Sequence, residues 1–376
     1  MIDNKTKKGD YVICLAVFIQ SVLVLLQQIL IDVFGMDPDA TTTYRVALTA
    51  IPMVAAIIVG FYRKTARFVF VYVMTILILL LTVSIFPKNE QYVRYEAIRF
   101  LLPLVVPSTL CLITVKSLEI LETSLIIIAW TSAVLVLFYI ISYFAGRFFI
   151  DSYNMSFSYG CLLPMIVLFS RRKPISTIFS FVMFLAVLAI GSRGGAIIFV
   201  AYVLLDVMMN KRKGRWIILI IGLVFVASIP ILMSFFDSIG ISSRTIGMLN
   251  SGDISNDTGR NSIYQICIEA LLNNPFFGVG MYGDRVIIGG VYCHNFFLEV
   301  FLDFGLLLGI FIVLILLHIF IRAFSISSGK SRTLLLILTF ACFFPYMASG
   351  SYLISNSIAI WLGYILLIIN GIEQKC

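Results

Sequence analysis

Three side chains in this sequence have types and positions suited to binding an anion and moving a proton. Arg193 lies between glycines in the pentapeptide GSRGG, and Arg260 directly follows Gly259. His294, one of only two histidines in the chain, precedes Asn295. Arginine binds phosphate and carboxylate oxygens through a planar fork, and neutral imidazole accepts a proton near pH 7. The pattern therefore predicts anion binding together with general base catalysis.

His294 is a stronger candidate for a general base than an isolated histidine. Asn295 is a favourable N-cap, so His294 is expected just outside a helix N-terminus, whose partial positive charge disfavours an imidazolium. A neutral imidazole is what a general base requires. The structural alternative, an interfacial histidine that is hydrogen-bonded only to water, stays open.

A glycine-rich stretch, GVGMYG at 278–283, satisfies the spacing of a dinucleotide-binding fingerprint. That fingerprint functions between a β-strand and a helix, where the helix end binds a pyrophosphate. No such context surrounds this stretch. The glycines instead predict sharp turns in which two backbone segments approach closely.

The composition excludes a water-soluble fold. Of 376 residues, 61% are hydrophobic and only 12% are charged, and the mean hydropathy is +1.05. The chain is therefore predicted to be an all-α polytopic membrane protein, with residues 1–376 forming one integral-membrane domain. Apolar runs long enough to cross the hydrocarbon predict twelve transmembrane helices, near 11–35, 46–62, 67–86, 97–115, 122–145, 155–170, 174–191, 194–209, 215–236, 295–324, 333–349 and 353–371.

The positive charges predict the orientation. With both termini in the cytoplasm, 18 of the 27 Lys and Arg residues face the cytoplasm, in agreement with the positive-inside rule. The net charge of +8 is thus explained by the membrane topology, and no nucleic-acid partner is needed to account for it. Eight of the nine exoplasmic cations are arginine, which indicates anion recognition. Each arginine can instead contact lipid headgroups or pair with a carboxylate. The nine exoplasmic cations are Arg45, Lys88, Arg94, Arg99, Arg147, Arg193, Arg244, Arg260 and Arg285.

One long hydrophilic loop, 237–293, is predicted between the ninth and tenth spans on the exoplasmic side. Within it, apolar residues at intervals of four predict an amphipathic helix over 261–272, which either lies on the membrane or caps a cavity. Pro275 ends this helix.

Cys267 and Cys293 both lie on the oxidising side of the membrane, where a disulfide between them is one alternative. No carboxylate pair in the loop is spaced like a metal-binding motif, although Asp253 and Asp257 are close enough in sequence to keep a metal site open as an alternative.

Two carboxylates, Glu299 and Asp303, lie four residues apart on one face of the tenth span. Carboxylates inside a membrane need partners. They are expected either to pair with exoplasmic arginines and hold the site together or to bind substrate hydroxyls.

These motifs, in their order along the chain, resemble the O-antigen polymerase and ligase family. They are GSRGG around Arg193, Gly259-Arg260, NPFFGVG at 274–280, and HNFFLE at 294–299 followed by Gly305 and Gly309. The resemblance runs from about Met155 to Gly309. It implies a GT-C-like membrane glycosyltransferase that takes a glycan from undecaprenyl diphosphate and uses no metal or other cofactor.

The resemblance also implies roles for individual residues. Arg193 and Arg260 match the arginines that hold the donor diphosphate, and His294 matches the residue that activates the acceptor hydroxyl. These three are the candidate catalytic residues. Further residues are expected to bind substrate: Asn295, Glu299, Arg244 and Arg285.

Within this family the acceptor distinguishes two candidate functions. A polymerase, for O-antigen or capsule, transfers the growing glycan to another lipid-linked repeat unit, whereas a ligase transfers it to lipid A core. The 237–293 loop contains five carboxylates and three arginines. This composition favours the polymerase, because an acidic loop binds the phosphorylated lipid A core poorly. A transporter of lipid-linked glycans is the alternative of another class.

The expected location is the bacterial cytoplasmic membrane, with the active site on the exoplasmic side. The expected partners are the undecaprenyl diphosphate-linked oligosaccharide and the bilayer, with a chain-length regulator as one further partner.

Overall fold

The computed structural model describes residues 3–148, 154–190, 193–209 and 260–371, and every regular element in these ranges is a helix. We number the main helices in chain order: α1 Asn4–Phe18, α2 Gln20–Asp32, α3 Pro38–Ile85, α4 Pro87–Leu112, α5 Leu118–Phe144, α6 Met155–Ser170, α7 Pro174–Ile190, α8 Arg193–Met209, α9 Arg260–Asn273, α10 Gly283–Ile288, α11 Phe296–Ile326, α12 Gly329–Leu338 and α13 Ser357–Ile369.

Several of these helices are long and apolar enough to cross a membrane. In the described ranges they are α3, α4, α5 and α11, with a fifth span if α1 and α2, bent by 45° at their junction, count as one. Four shorter helices, α6, α7, α8 and α13, are also apolar. The helical, polytopic membrane architecture agrees with the sequence. The count of twelve stays a prediction, and its ninth span, 215–236, lies outside the described residues.

Three of the predicted spans differ from the helices of the structure. Predicted spans 46–62 and 67–86 both lie in α3, whose helical geometry breaks at Lys64 (φ −147°, ψ 50°). α4 begins at Pro87, ten residues before the predicted start, and includes a π-helical stretch at Val93–Val105. Proline is favourable in a first helical turn, and hydropathy alone misses a first turn that is polar.

The chain forms two compact units. The first consists of 1–17, 50–122 and 257–376, and the second of 18–49 and 123–256. In the first unit, Arg63 Nη1 lies 2.6 Å from Asp10 Oδ1, and the Asp10 side chain is completely buried. In the second unit, the Tyr139 hydroxyl donates to Asp32 Oδ2 at 2.7 Å. The first unit contains Arg260 and His294, and the second contains Arg193.

Candidate functional site

Helix α9 carries Arg260 at its first position and packs one side against other parts of the first unit. Cys267 and Leu271 are buried in an apolar cluster with Cys293 and Leu302. The structure thus has a helix at Arg260–Asn273, where the sequence predicts one over 261–272. Cys267 and Cys293 are free thiols in the structure, and the two side chains contact each other.

The glycine-rich stretch after α9 turns sharply, as the sequence predicts. Gly278 and Gly280 have φ angles of +65° and +79°, which only glycine adopts readily. A Cβ on Gly278 would lie 2.1 Å from the Leu302 carbonyl oxygen, and one on Gly280 would lie 2.3 Å from the Phe86 ring. Both positions require glycine because the neighbouring groups leave no room for a side chain.

His294 lies between two residues whose hydrogen bonds hold the backbone in place. On one side, the Cys293 N–H donates to Asp284 Oδ2 at 3.0 Å. On the other, Asn295 Oδ1 accepts the Leu298 N–H at 3.1 Å, which confirms Asn295 as the N-cap of α11. His294 itself has φ +61°, an uncommon conformation that such flanking contacts are needed to maintain.

The side-chain nitrogen of Asn295 is also hydrogen-bonded. Asn295 Nδ2 donates to the Met347 carbonyl oxygen at 3.0 Å. Asn295 therefore joins the start of α11 to the segment that follows α12. This contact orients the residue next to His294.

The pKa of His294 is lowered to about 4 from its ordinary value of 6.5. Burial is the main cause, the positive charge of Arg260 contributes next, and the carboxylate of Asp284 opposes the shift. Burial and the charge of Arg260 thus both favour the neutral imidazole that a general base requires. Arg260 and His294 belong to the same compact unit, and the charge of Arg260 contributes to this shift.

One ring nitrogen of His294 has no hydrogen-bond partner. Among the residues that the structure describes, Nδ1 is buried without a donor or acceptor next to it. The ring lies beside Tyr292, with 4.3 Å between the ring centroids. Because buried polar atoms are normally paired, this unpaired nitrogen marks His294 as a candidate functional residue.

Beside His294, a buried ion network surrounds Arg285. Its Nη1 lies 2.6 Å from Asp284 Oδ1 and 2.7 Å from Glu299 Oε1, and all three side chains are completely buried. Nη2 donates to Ser351 Oγ at 2.6 Å, and Nε donates to Glu96 Oε2 at 3.2 Å. The network thus connects α4, α10, α11 and the segment before α13.

The charge of Arg285 is well stabilised in this environment. Burial alone lowers its pKa, but the carboxylates of Glu299, Asp284 and Glu96 raise it well above the ordinary value. The guanidinium also lies 5.2 Å from the centroid of the Tyr282 ring. An arginine that is completely enclosed in this way is placed to hold the site together, and this geometry favours a structural role over direct contact with substrate.

Glu299 and Asp303 both face this interior. Glu299 is completely buried, accepts hydrogen bonds from Arg285 and Ser351, and also accepts the Tyr352 N–H at 3.2 Å. Of the two roles that the sequence leaves open for Glu299, the structure therefore shows pairing with an arginine. Asp303 Oδ2 accepts the Tyr352 hydroxyl, whereas Asp303 Oδ1 has no partner among the described residues.

Sequence reasoning missed four members of this network. They are Asp284, Glu96, Ser351 and Tyr352. Asp284 has a local signal, because it is adjacent to Arg285 and an arginine in a membrane protein needs a counter-ion. Glu96 and Ser351 lie 189 and 66 residues from Arg285 along the chain, so no spacing rule connects them.

The first unit therefore brings together most of the predicted site residues, namely Arg260, Arg285, His294, Asn295 and Glu299. Arg193 begins α8 in the second unit. Arg244 lies outside the described residues.

Comparison with known proteins identifies a family for the part of the chain that contains these residues. Residues 178–314 match the model of the family described as O-antigen ligase. No curated protein and no solved structure matches the chain. The matched stretch includes Arg193, Arg260 and His294, and it overlaps most of the region whose motifs carry the resemblance. Residues 178–314 of this chain are therefore similar to the O-antigen ligase family.

Proposed function

We propose that the protein is a membrane glycosyltransferase of the polymerase type. It transfers a growing glycan from undecaprenyl diphosphate to the non-reducing end of another lipid-linked repeat unit. The observations that carry this proposal are the buried Nδ1 of His294, which has no partner among the described residues, and the lowered pKa of that histidine, to which the charge of Arg260 contributes. An anion-binding group next to a general base is what transfer from a diphosphate-linked donor requires.

The chemistry is a single displacement at the anomeric carbon of the donor sugar. The acceptor hydroxyl oxygen forms the new glycosidic bond while the bond from that carbon to the diphosphate oxygen breaks, with inversion of configuration. His294 takes the proton of the acceptor hydroxyl. Arg260 and Arg193 stabilise the negative charge that develops on the departing diphosphate.

The unpaired Nδ1 of His294 supports this assignment. An acceptor hydroxyl that reaches this nitrogen both satisfies it and places the reacting proton within hydrogen-bond distance. The αL backbone of His294, held by the neighbouring contacts of Cys293 and Asn295, fixes the ring for this purpose. Catalysis gains from such positioning before the substrate arrives.

The polymerase is favoured over the ligase by the charges of the loop before α11. Carboxylates outnumber arginines there. One of the three arginines, Arg285, is enclosed by carboxylates and does not offer its charge to a ligand. A phosphorylated lipid A core would therefore meet little positive charge on this loop, whereas a lipid-linked repeat unit needs positive charge only for its diphosphate.

Purified protein in lipid nanodiscs tests the proposal when it receives lipid-linked repeat units alone. We expect a ladder of lengthened glycans on a gel. Product that forms only after lipid A core is added would instead identify a ligase. Movement of lipid-linked glycan across a liposome membrane, without any new glycosidic bond, would contradict both and identify a transporter.

Single substitutions test the site. We expect Arg193→Ala, Arg260→Ala and His294→Ala each to abolish transfer while the amount of membrane-inserted protein is unchanged. Arg94→Ala is the matched control, because this arginine is predicted on the same side of the membrane and its side chain is 76% exposed. Wild-type transfer by all three site variants would contradict the assignment.

A further inference from the structure

The segment that follows α9 presents two aromatic side chains away from the protein. Phe276 and Phe277 are 72% and 81% exposed. Two adjacent phenylalanines with this exposure are uncommon on a surface that faces water, and contiguous exposed apolar groups usually mark a contact surface. The question is what this surface contacts.

The same surface continues onto α9. Its inner side packs Cys267 and Leu271 into the protein, but Ile268 and Leu272 point outward and are 47% and 69% exposed. The spacing of four residues places Ile268 and Leu272 on one face of the helix. We call the four side chains Ile268, Leu272, Phe276 and Phe277 the outer apolar patch.

The backbone beneath the patch is joined to a break in α11. In a regular α-helix the Leu306 N–H would donate to the Leu302 carbonyl oxygen. Here Leu306 N–H donates to the Pro275 oxygen at 2.7 Å, and the Leu302 oxygen accepts the Val279 N–H at 2.6 Å. The segment thus supplies a new partner for both the donor and the acceptor of the one hydrogen bond that the helix gives up.

Glycines make this junction possible. Gly305 has φ +74° and ψ 173° inside α11, which breaks the helical geometry. A Cβ on Gly305 would lie 2.2 Å from the Phe276 carbonyl oxygen. The backbone of Phe276 therefore lies directly against α11, and the patch has a fixed level along that helix.

Beyond that level a long part of α11 contains no charged residue. After Asp303, α11 contains no Asp, Glu, Lys or Arg before Arg322. Its side chains immediately beyond the junction are exposed, with Leu307 at 73%. In a helix of this length and hydropathy, these side chains face lipid. Because the Pro275 and Phe276 backbone contacts Leu306 and Gly305, the patch lies next to this surface, at the level where the charged residues of α11 end.

We propose that the outer apolar patch inserts into the bilayer at the level of the headgroup boundary, so that α9 lies against the membrane surface. Aromatic side chains are favoured at this boundary, and an amphipathic helix binds there through its apolar face. The position of the patch next to the lipid-facing side of α11 identifies lipid, and not a soluble partner protein, as the occupant. Insertion anchors the C-terminal end of α9, the helix whose first residue is Arg260.

This inference does not depend on glycosyl transfer, because lipid contact is measured without substrate. The test uses Phe277→Trp in vesicles of phosphatidylcholine brominated either near the headgroup or near the methyl end of the acyl chains. The emission of the unsubstituted protein, which has three tryptophans, is subtracted. Ser262→Trp is the matched control, since Ser262 is exposed on the same helix but lies outside the patch.

We expect the added emission of Phe277→Trp to be quenched several-fold more by the lipid brominated near the headgroup than that of Ser262→Trp. Quenching by aqueous iodide instead would show that the patch faces water and would overturn the proposal. Protection from both quenchers would show that protein covers the patch, a second copy of this chain included, and would overturn it equally. A thermal unfolding midpoint equal to that of the unsubstituted protein shows that the variants are folded.

Discussion

The guanidinium of Arg285 donates from Nη1 to Glu299 Oε1 at 2.7 Å, and neither side chain has any solvent exposure. This pair joins α10 to the first turn of α11, next to His294. Removing one member of a buried ion pair leaves the other charge unmatched, which is strongly unfavourable in a low-dielectric interior. The pair therefore controls whether the start of α11 and the loop before it keep their positions.

Substituting Arg285 is expected to destabilise the protein severely. In Arg285→Met, the carboxylates of Asp284, Glu96 and Glu299 lose their shared cation. We expect a loss of about 3–5 kcal/mol in the free energy of unfolding, the range typical of one broken buried pair. The measurement is the thermal unfolding midpoint of the purified protein in detergent.

Arg94→Met is the matched control for this prediction. Arg94 also pairs with a glutamate, Glu90, at 2.6 Å, but both side chains are largely exposed. Exposed pairs contribute little to stability. Equal unfolding midpoints for Arg285→Met and Arg94→Met would contradict the structural role of the buried network.

Substituting Gly278 is expected to disrupt the junction with α11. In Gly278→Ala the new methyl group would meet the Leu302 carbonyl oxygen, which lies 2.1 Å from the ideal Cβ position. Gly289→Ala is the control, because Gly289 also has a positive φ, +74°, but nothing lies within 4 Å of its Cβ position. The control isolates the backbone strain, about 1–2 kcal/mol.

The steric clash should add about 1–3 kcal/mol in Gly278→Ala beyond that strain. Unfolding midpoints of the two variants, measured under identical conditions, give the difference directly. If Gly289→Ala is destabilised as much as Gly278→Ala, the close approach of Gly278 to α11 is wrong.

Local parts of this site are readable from the sequence, but its long-range contacts are not. Helix α9 and the Asn295 cap follow from spacings of three and four residues, and the glycine turns follow from the conformations that only glycine adopts readily. The partners of Arg285 depend on packing between helices that are distant in the chain, so no local pattern contains them. For the same reason, hydropathy places α11 correctly but does not reveal its break at Gly305.

The two functions of the Asn295 amide are separable by substitution. Asn295→Asp keeps an oxygen that accepts the Leu298 N–H but loses the donor to Met347, whereas Asn295→Ala loses both. We expect Asn295→Ala to lose about 1 kcal/mol more in the free energy of unfolding, the usual contribution of an N-cap. Unfolding midpoints of both variants test this, and equal midpoints would show that the cap contributes nothing.

The pKa of His294 is measurable directly because the chain contains only two histidines. In protein with labelled imidazole rings, NMR titration should show one histidine with a pKa of about 4, and a His318→Gln variant assigns the signal. In Arg260→Gln this pKa should rise, because a nearby positive charge is removed, but stay below 6.5, since burial remains the larger cause. A wild-type His294 that titrates at 6.5 would contradict its burial.

The pH dependence of glycan transfer follows from the same shift. A general base acts when it is unprotonated, which for His294 means at pH values above its pKa. Because burial and Arg260 lower that pKa to about 4, transfer should continue as the pH falls through 6.5, where an ordinary histidine becomes protonated, and should decline only towards pH 4. Initial rates with lipid-linked repeat units across this range test the prediction, with unfolding midpoints at each pH to separate catalysis from stability. A tenfold loss of rate between pH 7 and pH 5.5 in fully folded protein would show that the base is a group of ordinary histidine pKa and not the buried His294.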